Sequence, residues 1–295
     1  MDRIKFTVNE YQSYPIETDL FERKTAKKAP FYRKMERQNH EISQFAICPA
    51  CNNPVQIIGL YRKSAHTDKP FAKHYETPIG LGIYNKQAYN YCPYKADRKA
   101  FTKDSRKGAI DDIAKEIIDK MVNHFDKIIY LLQKKIGIYI SLSLAKEMLN
   151  DFFDAGAYLY YGASLQNIPL LLAYFSLNKA LIGRYISNKE LISALEKAPN
   201  LYFENNQLRA KCFSNVGFYF TNHKTYIKDH HLTESLLLTV SQKEIIYSEK
   251  IIFDNLHFEN LLTYHPSTLS EKQETKNKEL LIAAKEVALK HGFKY

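Results

Sequence analysis

Residues 47–54 read Ile47-Cys48-Pro49-Ala50-Cys51-Asn52-Asn53-Pro54, and this stretch holds two of the four cysteines of the 295-residue chain. Two cysteines separated by two residues can direct both thiolates to one metal ion. Pro49 and the Asn-Asn-Pro sequence favour the tight turn that such a pair requires. Apolar residues follow at 55–61 and predict a strand. The stretch therefore predicts a metal-binding turn that leads into a strand.

Further metal ligands follow along the chain. Cys92 stands in a Tyr-Cys-Pro-Tyr sequence, and His74 ends a Lys-Pro-Phe-Ala-Lys-His sequence. A closed tetrahedral zinc site takes four such ligands. We therefore expect a structural Zn²⁺ ion held by Cys48, Cys51, His74 and Cys92, with His66 as the alternative histidine. A redox dithiol is the competing interpretation, but that motif is expected beside a strand–helix–strand pattern, which is not evident here.

The Cys-Pro-Ala-Cys turn and the Phe-Ala-Lys-His sequence together resemble the N-terminal zinc module of bacterial competence proteins of the CoiA-like type. In that family a Cys-Pro-x-Cys turn precedes a Phe-Ala-His histidine, whereas Lys73 separates Ala72 from His74 here. The resemblance covers about residues 45–95, and no family is recognised over the full length. It implies a DNA-handling context, because such modules accompany nuclease domains.

The charge of the chain is distributed unevenly. The net charge is +10, and residues 1–110 hold 20 Lys and Arg against 11 Asp and Glu. The remaining residues hold 22 against 21 and are nearly neutral. A basic segment of this kind indicates a polyanionic partner, with nucleic acid first and an anionic membrane or an acidic protein second.

Two basic runs that also contain aromatic residues flank the metal-binding segment. Cations can neutralise phosphates, and rings can stack on unpaired bases. Each run taken alone is typical of a solvated surface, but their position on either side of the module favours contact with DNA or RNA. The candidate contacts are Arg23, Lys24, Lys27, Lys28, Arg33, Lys34, Arg98, Lys99, Lys103, Arg106 and Lys107.

Length and composition indicate the architecture. A chain of 295 residues with 45% hydrophobic and 25% charged residues is long enough for about two folded domains. We expect an α+β protein with a basic zinc-binding domain at 1–108 and a helical and antiparallel β domain at 109–295. The chain has no apolar leader, its apolar runs are too short to span a membrane, and four cysteines are too few for a disulfide scaffold. These features predict a cytoplasmic protein that does not bind membranes.

The middle of the chain shows helical periodicity. Apolar residues predict one helix from Ile110 to Leu132, a second from about Ser143, and a third from Pro169 to about Ile186. Ser187 and Glu190 form a capping box for a fourth helix. A hairpin then follows at 201–211, so residues 168–213 are either a winged-helix-like unit or an ordinary α+β packing unit. In a wing, Lys189, Lys197, Arg209 and Lys211 would meet phosphates.

The C-terminal part is predicted to be rich in strands. Five short strands between 216 and 253 suggest an antiparallel meander. A terminal helix begins at Ser270, which forms a capping box with Gln273. Because its first half is polar, we expect this helix to project from the body and to contact a protein partner.

No common catalytic motif is present, although catalytic groups far apart in sequence would escape detection. Asp254 with Glu274-Thr275-Lys276 has the spacing of a metal-dependent nuclease, and Asp229-His230-His231 resembles a metallophosphoesterase tripeptide. Cys212 is expected to be a buried thiol. The sequence therefore favours a zinc protein of the zinc-finger kind that binds nucleic acid, as a subunit of a bacterial DNA- or RNA-handling or anti-phage defence system. The alternatives are a metal-dependent nuclease and a protein-interaction adaptor.

Overall fold

The computed structural model describes residues 1–35, 41–62, 69–264 and 269–295. Helices and antiparallel sheets are mixed along the chain, which confirms the α+β class. The chain forms two compact units. The first unit is Met1–Ile113 with Tyr160–Gln166 and Thr225–Thr233, and the second is Ala114–Leu159, Asn167–Lys224 and Glu234–Tyr295. The domain boundary at residue 108 stays a prediction.

The first unit is built on an antiparallel sheet. Its elements are β1 (Arg3–Ile4), β2 (Tyr14–Pro15), α1 (Thr18–Thr25), β3 (Tyr32–Lys34), β4 (Ile42–Ile47), β5 (Pro54–Ile58), β6 (Phe71–His74) and α2 (Lys86–Tyr91). Strands β3 to β6 pair in chain order, and β1 pairs with β2. The register places Ile47 opposite Pro54 and Val55 opposite His74, so the ends of three strands meet at the metal-binding turn.

A small apolar core supports this sheet. Phe45 and Ile47 of β4 pack with Ile79 and Leu81, and all four side chains are buried. Phe45 also meets Tyr75 edge-on, with ring centroids 5.1 Å apart. The cluster is small because the sheet has only four short strands.

The second unit contains the remaining elements. They are α3 (Asp112–Asn123), which begins in the first unit, α4 (Phe125–Ile136), α5 (Leu142–Asp154), a 3₁₀ turn (Ala157–Leu159), α6 (Ile168–Phe175), β7 (Lys179–Ala180), α7 (Lys189–Glu196), β8 (Leu201–Glu204), β9 (Gln207–Ala210), β10 (Gly217–Lys228), which passes into the first unit at Thr225, β11 (His231–Ser241), which leaves the first unit after Thr233, β12 (Ile245–Asp254), α8 (Asn255–Thr263) and α9 (Glu271–Lys290).

The helical core differs from the prediction at two places. The predicted helix at 110–132 is two helices, because the backbone of His124 leaves the helical region at φ −129°. The predicted helix from Pro169 to Ile186 ends at Phe175, since Lys179 and Ala180 instead pair with Phe218 and Gly217 as strand β7. Gly137 ends α4 with a left-handed backbone at φ 65°, a conformation that glycine adopts at no steric cost.

The strands between residues 216 and 254 are fewer and longer than predicted. Three strands, β10 to β12, replace the five short ones and pair antiparallel in the order β12-β11-β10-β7. The difference arises because the polar residues that alternate within β10 have the composition of turns. The β8–β9 hairpin is confirmed, with Leu201 opposite Ala210. Asn188, and not Ser187, caps α7 by accepting a hydrogen bond from the backbone N–H of Leu191.

The winged-helix assignment of residues 168–213 stays a prediction. A helix followed by a hairpin is present there, in the form of α7, β8 and β9. The same order of elements occurs in many unrelated folds, so it does not distinguish a wing from an ordinary packing unit.

The terminal helix is anchored by its second half. Ser270 caps α9 by accepting from the backbone N–H of Gln273, as predicted. Leu280, Ala284 and Val287 are buried, and α9 packs against α4 and α5. The expectation that this helix projects from the body is therefore wrong for its second half, because the narrow apolar stripe is used for packing.

Candidate metal centre

The turn between β4 and β5 carries the first two ligands. Cys48 follows the last residue of β4, and Cys51 lies three residues later. The backbone N–H of Asn52 donates to the carbonyl of Cys48 at 3.0 Å, and that of Cys48 donates to the carbonyl of Asn53 at 2.9 Å. Asn52 has a left-handed backbone at φ 55°, which asparagine tolerates better than most residues. These bonds close the turn so that both thiols point to one place.

The other two ligands come from β6 and from the end of α2. His74 is the last residue of β6 and lies opposite Val55. Cys92 follows α2, and its backbone N–H donates to the carbonyl of Tyr89. Helix α2 begins after Asn85, whose side chain caps it by accepting from the N–H of Ala88. The four candidate ligands therefore come from three separate segments of the chain and lie close together.

The four donor atoms form a compact cluster. The sulfurs of Cys48 and Cys92 are 3.7 Å apart, and the sulfur of Cys51 lies 3.4 Å from Nε2 of His74. All four donor atoms lie within 4.8 Å of one another. In a tetrahedral site with bonds of about 2.3 Å to sulfur and about 2.0 Å to nitrogen, neighbouring ligand atoms lie about 3.5–3.8 Å apart. These two pairs match that geometry, and the group is close enough to hold one metal ion.

The cluster is shielded from solvent. The three cysteines are between 0% and 3% exposed. No other group of three or more Cys, His, Asp or Glu residues in the described part of the chain is placed to share an ion. The alternative ligand His66 lies outside the described residues. A closed, buried group of three thiols and one imidazole is typical of a structural metal site.

The ionisation of the ligands reflects their mutual contact. Burial alone would raise the pKa of Cys51, but contacts with Cys48 and Cys92 and the charge of His74 outweigh it and hold that pKa well below its ordinary value. Burial disfavours the imidazolium of His74, yet the charges of Cys51 and Cys48 raise its pKa to about 10. Burial raises the pKa of Cys92. The group thus stabilises a thiolate, which is the form that binds metal.

Residues outside the Cys3His group hold the turn and its candidate ligands in place. The side-chain amide of Asn53 donates to the sulfur of Cys51 at 3.3 Å and to the carbonyl of Asn85 at 3.2 Å. The buried ammonium of Lys5 donates to the side-chain carbonyl of Asn52 at 2.9 Å. Gly82 has φ 73°, and a Cβ there would lie 2.5 Å from the backbone carbonyl oxygen of Asn52.

In the sequence, Asn52 and Asn53 indicate only a turn, and their contacts with Lys5 and Cys51 are not predicted. The position of Asn53 two residues after Cys51 is a signal, because an amide there can reach the thiolate. Lys5, Gly82 and Asn85 are distant along the chain and carry no signal. Supporting contacts of this kind orient ligands and tune the affinity of a metal site.

The structure places the predicted basic residues in three settings. Arg23, Lys28, Lys34 and Lys99 have exposed side chains, as does Lys103. Five others contact neighbouring residues. The ammonium of Lys24 lies 4.0 Å from the ring centroid of Tyr14, and the guanidinium of Arg98 lies over the ring of Phe101. The ammonium of Lys27 is 2.8 Å from a carboxylate oxygen of Glu22, whereas Arg33 donates to the carbonyl of Ile79 and Arg106 to that of Lys103. Lys107 is buried, and its ammonium is 3.0 Å from Asp111, so it must be removed from the surface contacts.

The residues considered for catalysis have structural roles. Asp254 caps α8 by accepting from the backbone N–H of Leu256, and Glu274 lies in the first turn of α9 instead of a strand. His230 stacks on Phe71 with ring centroids 4.4 Å apart, and Nδ1 of His231 is 2.9 Å from a carboxylate oxygen of Asp2. Cys212 is exposed, which corrects the expectation that it is buried.

The cations of the hairpin region also have defined positions. Lys189, Lys197 and Lys211 are exposed, whereas Arg209 lies 3.4 Å from Glu204 across the hairpin. Their role as wing contacts stays a prediction.

Comparison with known proteins adds no family to this description. No family model matches the chain, and no match is found among the curated proteins or the solved structures. Among the described residues, none of the helices has the length and apolar character needed to cross a membrane. The site itself therefore defines the class, which is a protein with a buried Cys3His group able to hold a metal ion.

Proposed function

We propose that the first unit is a zinc-stabilised module that binds nucleic acid through exposed Lys and Arg side chains. The observation that carries the proposal is the convergence of four zinc-type ligands within the most basic part of the chain. Zinc is favoured over other ions because three thiolates and one imidazole are soft or borderline donors in tetrahedral spacing. The thiols must stay reduced to bind it, which supports a cytoplasmic location.

Nucleic acid is the favoured partner because of the distribution of charge. The excess of nine positive charges on residues 1–110 is held on a small sheet domain. Arg23, Lys28, Lys34 and Lys99 are exposed there and could each meet a phosphate. Metal binding would hold the sheet and its cations in a fixed arrangement, so that binding does not require the surface to become ordered.

Elemental analysis tests the metal. Purified protein should contain about one zinc per chain, as a closed four-ligand site requires. The Cys48→Ser/Cys51→Ser double variant should lose it, whereas Cys212→Ser should retain it because that thiol is outside the cluster. Iron or no metal in the wild type, or full zinc in the double variant, would contradict the assignment.

Salt-dependent binding of labelled DNA and RNA duplexes tests the partner. Each phosphate contact contributes about −0.9 to the slope of log affinity against log salt concentration. Reversal of Arg23, Lys28, Lys34 and Lys99 to Glu should flatten the slope by about one per lost contact. The matched control reverses four exposed lysines of the second unit, which are Lys243, Lys272, Lys278 and Lys285. Equal losses in both variants would show that only net charge matters.

The same assay separates the alternative functions. Cleavage of the probes that depends on Mg²⁺ or Mn²⁺ would support the metal-dependent nuclease. Failure to bind any nucleic acid would favour an adaptor whose basic face contacts an acidic protein. The DNA-handling context implied by the CoiA-like resemblance, and the suggested defence role, would gain support only from binding or cleavage of nucleic acid.

A further inference from the structure

Exposed tyrosines of the second unit surround two neighbouring clefts. The first cleft, of about 460 Å³, lies between α4 and α8, and the second has about 450 Å³. Tyr130 and Lys134 of α4 line both clefts, so the two clefts form one continuous surface. We name it the tyrosine surface. Its members are Tyr130, Tyr139, Tyr185 and Tyr264, with Lys134 and Lys135.

The rings of this surface are open to solvent. The exposed fractions are 49% for Tyr130, 39% for Tyr139, 51% for Tyr185 and 61% for Tyr264. Tyr139 and Tyr185 meet edge to face with centroids 6.3 Å apart. Scattered exposed aromatics are ordinary, but four on one continuous surface indicate a binding site.

The charge of the surface selects the partner. Lys134 and Lys135 lie about one helical turn after Tyr130, and the ammonium of Lys276 lies 4.5 Å from the ring centroid of Tyr139. None of the described residues that line the two clefts is acidic. Rings with cations between them, and without competing carboxylates, complement a ligand that carries both flat bases and phosphates.

We propose that the tyrosine surface binds single-stranded nucleic acid by stacking unpaired bases on its rings, while Lys134, Lys135 and Lys276 contact phosphates. Single strands are the matching form because paired bases in a duplex keep their faces covered. The inference extends the proposed nucleic-acid binding to the second unit, and it rests on that function for the class of ligand only. It uses none of the residues that the first unit contributes.

Binding of the full chain to labelled oligothymidylate tests the proposal. Because stacking contributes about 1–3 kcal/mol per base, Tyr130→Ala should weaken binding about 5- to 150-fold. Tyr130→Phe keeps the ring and should stay within about twofold of the wild type. The matched control is Tyr202→Ala, which removes a tyrosine of the same unit that is 42% exposed and lines neither cleft. Duplex binding should be the same in all three variants.

Photo-cross-linking locates the contact directly. An oligonucleotide containing bromouracil should cross-link to peptides that contain Tyr130, Tyr139, Tyr185 or Tyr264. A wild-type protein that does not bind oligothymidylate, cross-links found only outside these peptides, or an equal loss in Tyr202→Ala would overturn the proposal.

The two nucleic-acid proposals can fail separately. Loss of duplex binding in the four-cation variant of the first unit, with oligothymidylate binding unaffected by Tyr130→Ala, would leave the proposed function and reject the tyrosine surface. Unchanged duplex binding in the four-cation variant, with weaker oligothymidylate binding in Tyr130→Ala, would keep the tyrosine surface and reject the first unit as the binding site.

Discussion

The metal centre of the first unit and the helices of the second unit are stabilised by different kinds of side chain. Around the metal centre, Lys5, Asn52 and Asn53 are buried polar residues that hydrogen-bond to the turn and to a ligand. On α5, the buried side chains are apolar, as Met148 and Phe152 illustrate. The first arrangement is able to hold a metal ion, whose binding would then contribute to folding, and the second is stabilised by apolar burial.

Metal removal should produce the largest difference in stability between the two regions. Binding of zinc to sites of this kind contributes on the order of 10 kcal/mol to folding. A strong chelator should therefore abolish the hydrogen-exchange protection of β4, β5 and β6. Helices α4 and α5 should keep their protection, because they contain none of the ligands. Loss of protection across all these elements at once would show that the units do not differ in this way.

A core substitution should produce the converse result. Phe152 is fully buried on α5 and packs edge-on against Phe153. Phe152→Ala should lower the free energy of unfolding of the helical core by about 3–5 kcal/mol, as measured by urea denaturation. Leu289→Ala, at a position that is 61% exposed on α9, should change it by less than about 0.5 kcal/mol. Metal content should be unchanged in both variants, and loss of metal from Phe152→Ala would contradict independent stabilisation.

A substitution beside a ligand should have an intermediate effect. Asn53→Ala removes the amide that donates to the sulfur of Cys51, so zinc affinity should fall about 10- to 100-fold in a chelator competition. Asn53→Asp should reduce it further, because its carboxylate repels the thiolates. Asn123→Ala removes an exposed amide that donates to Asp119 on α3 and serves as the control. An unchanged zinc affinity in Asn53→Asp would show that the contact does not support the site.

The ligand set could be predicted from sequence because it is a chemical pattern. Cys48 and Cys51 lie close together in the chain, and Cys92 and His74 are residue types that complete a zinc site. The supporting residues could not be predicted. Lys5 reaches the turn because its backbone pairs with Ile47, a contact between segments far apart in sequence that no local pattern reveals.

The fold was predictable where local signals agree with packing. The periodic face of α5 and the cap at Ser270 were such cases. The end of α6 was not, because residues 179–180 form a strand only where a distant strand, β10, offers hydrogen bonds. The tyrosine surface had no sequence signal for the same reason, since residues 130, 139, 185 and 264 come together only in the folded chain.

The smallest expected effect concerns acid sensitivity within the helical region. Burial, together with the charges of Lys127 and Lys120, lowers the pKa of His124 from 6.5 to about 4. Above pH 6.5 the imidazole is neutral in both the folded and the unfolded chain. As the pH falls from 6.5 to about 4, the unfolded chain takes up the proton first, so the free energy of unfolding decreases. With solvent screening at this partly exposed ring, the loss should be about 1–2 kcal/mol.

His124→Gln should remove that part of the acid sensitivity, because glutamine does not titrate. The measurement is urea denaturation of wild type and variant at several pH values between about 7 and about 4, followed by the hydrogen exchange of α3 and α4. The advantage of the wild type over the variant should shrink as the pH falls, and comparing the two proteins cancels any loss of metal that both share. A constant difference across this range would mean that His124 carries the same charge in the folded and unfolded chains, and its burial next to Lys127 and Lys120 would then have no influence on the pH dependence of stability.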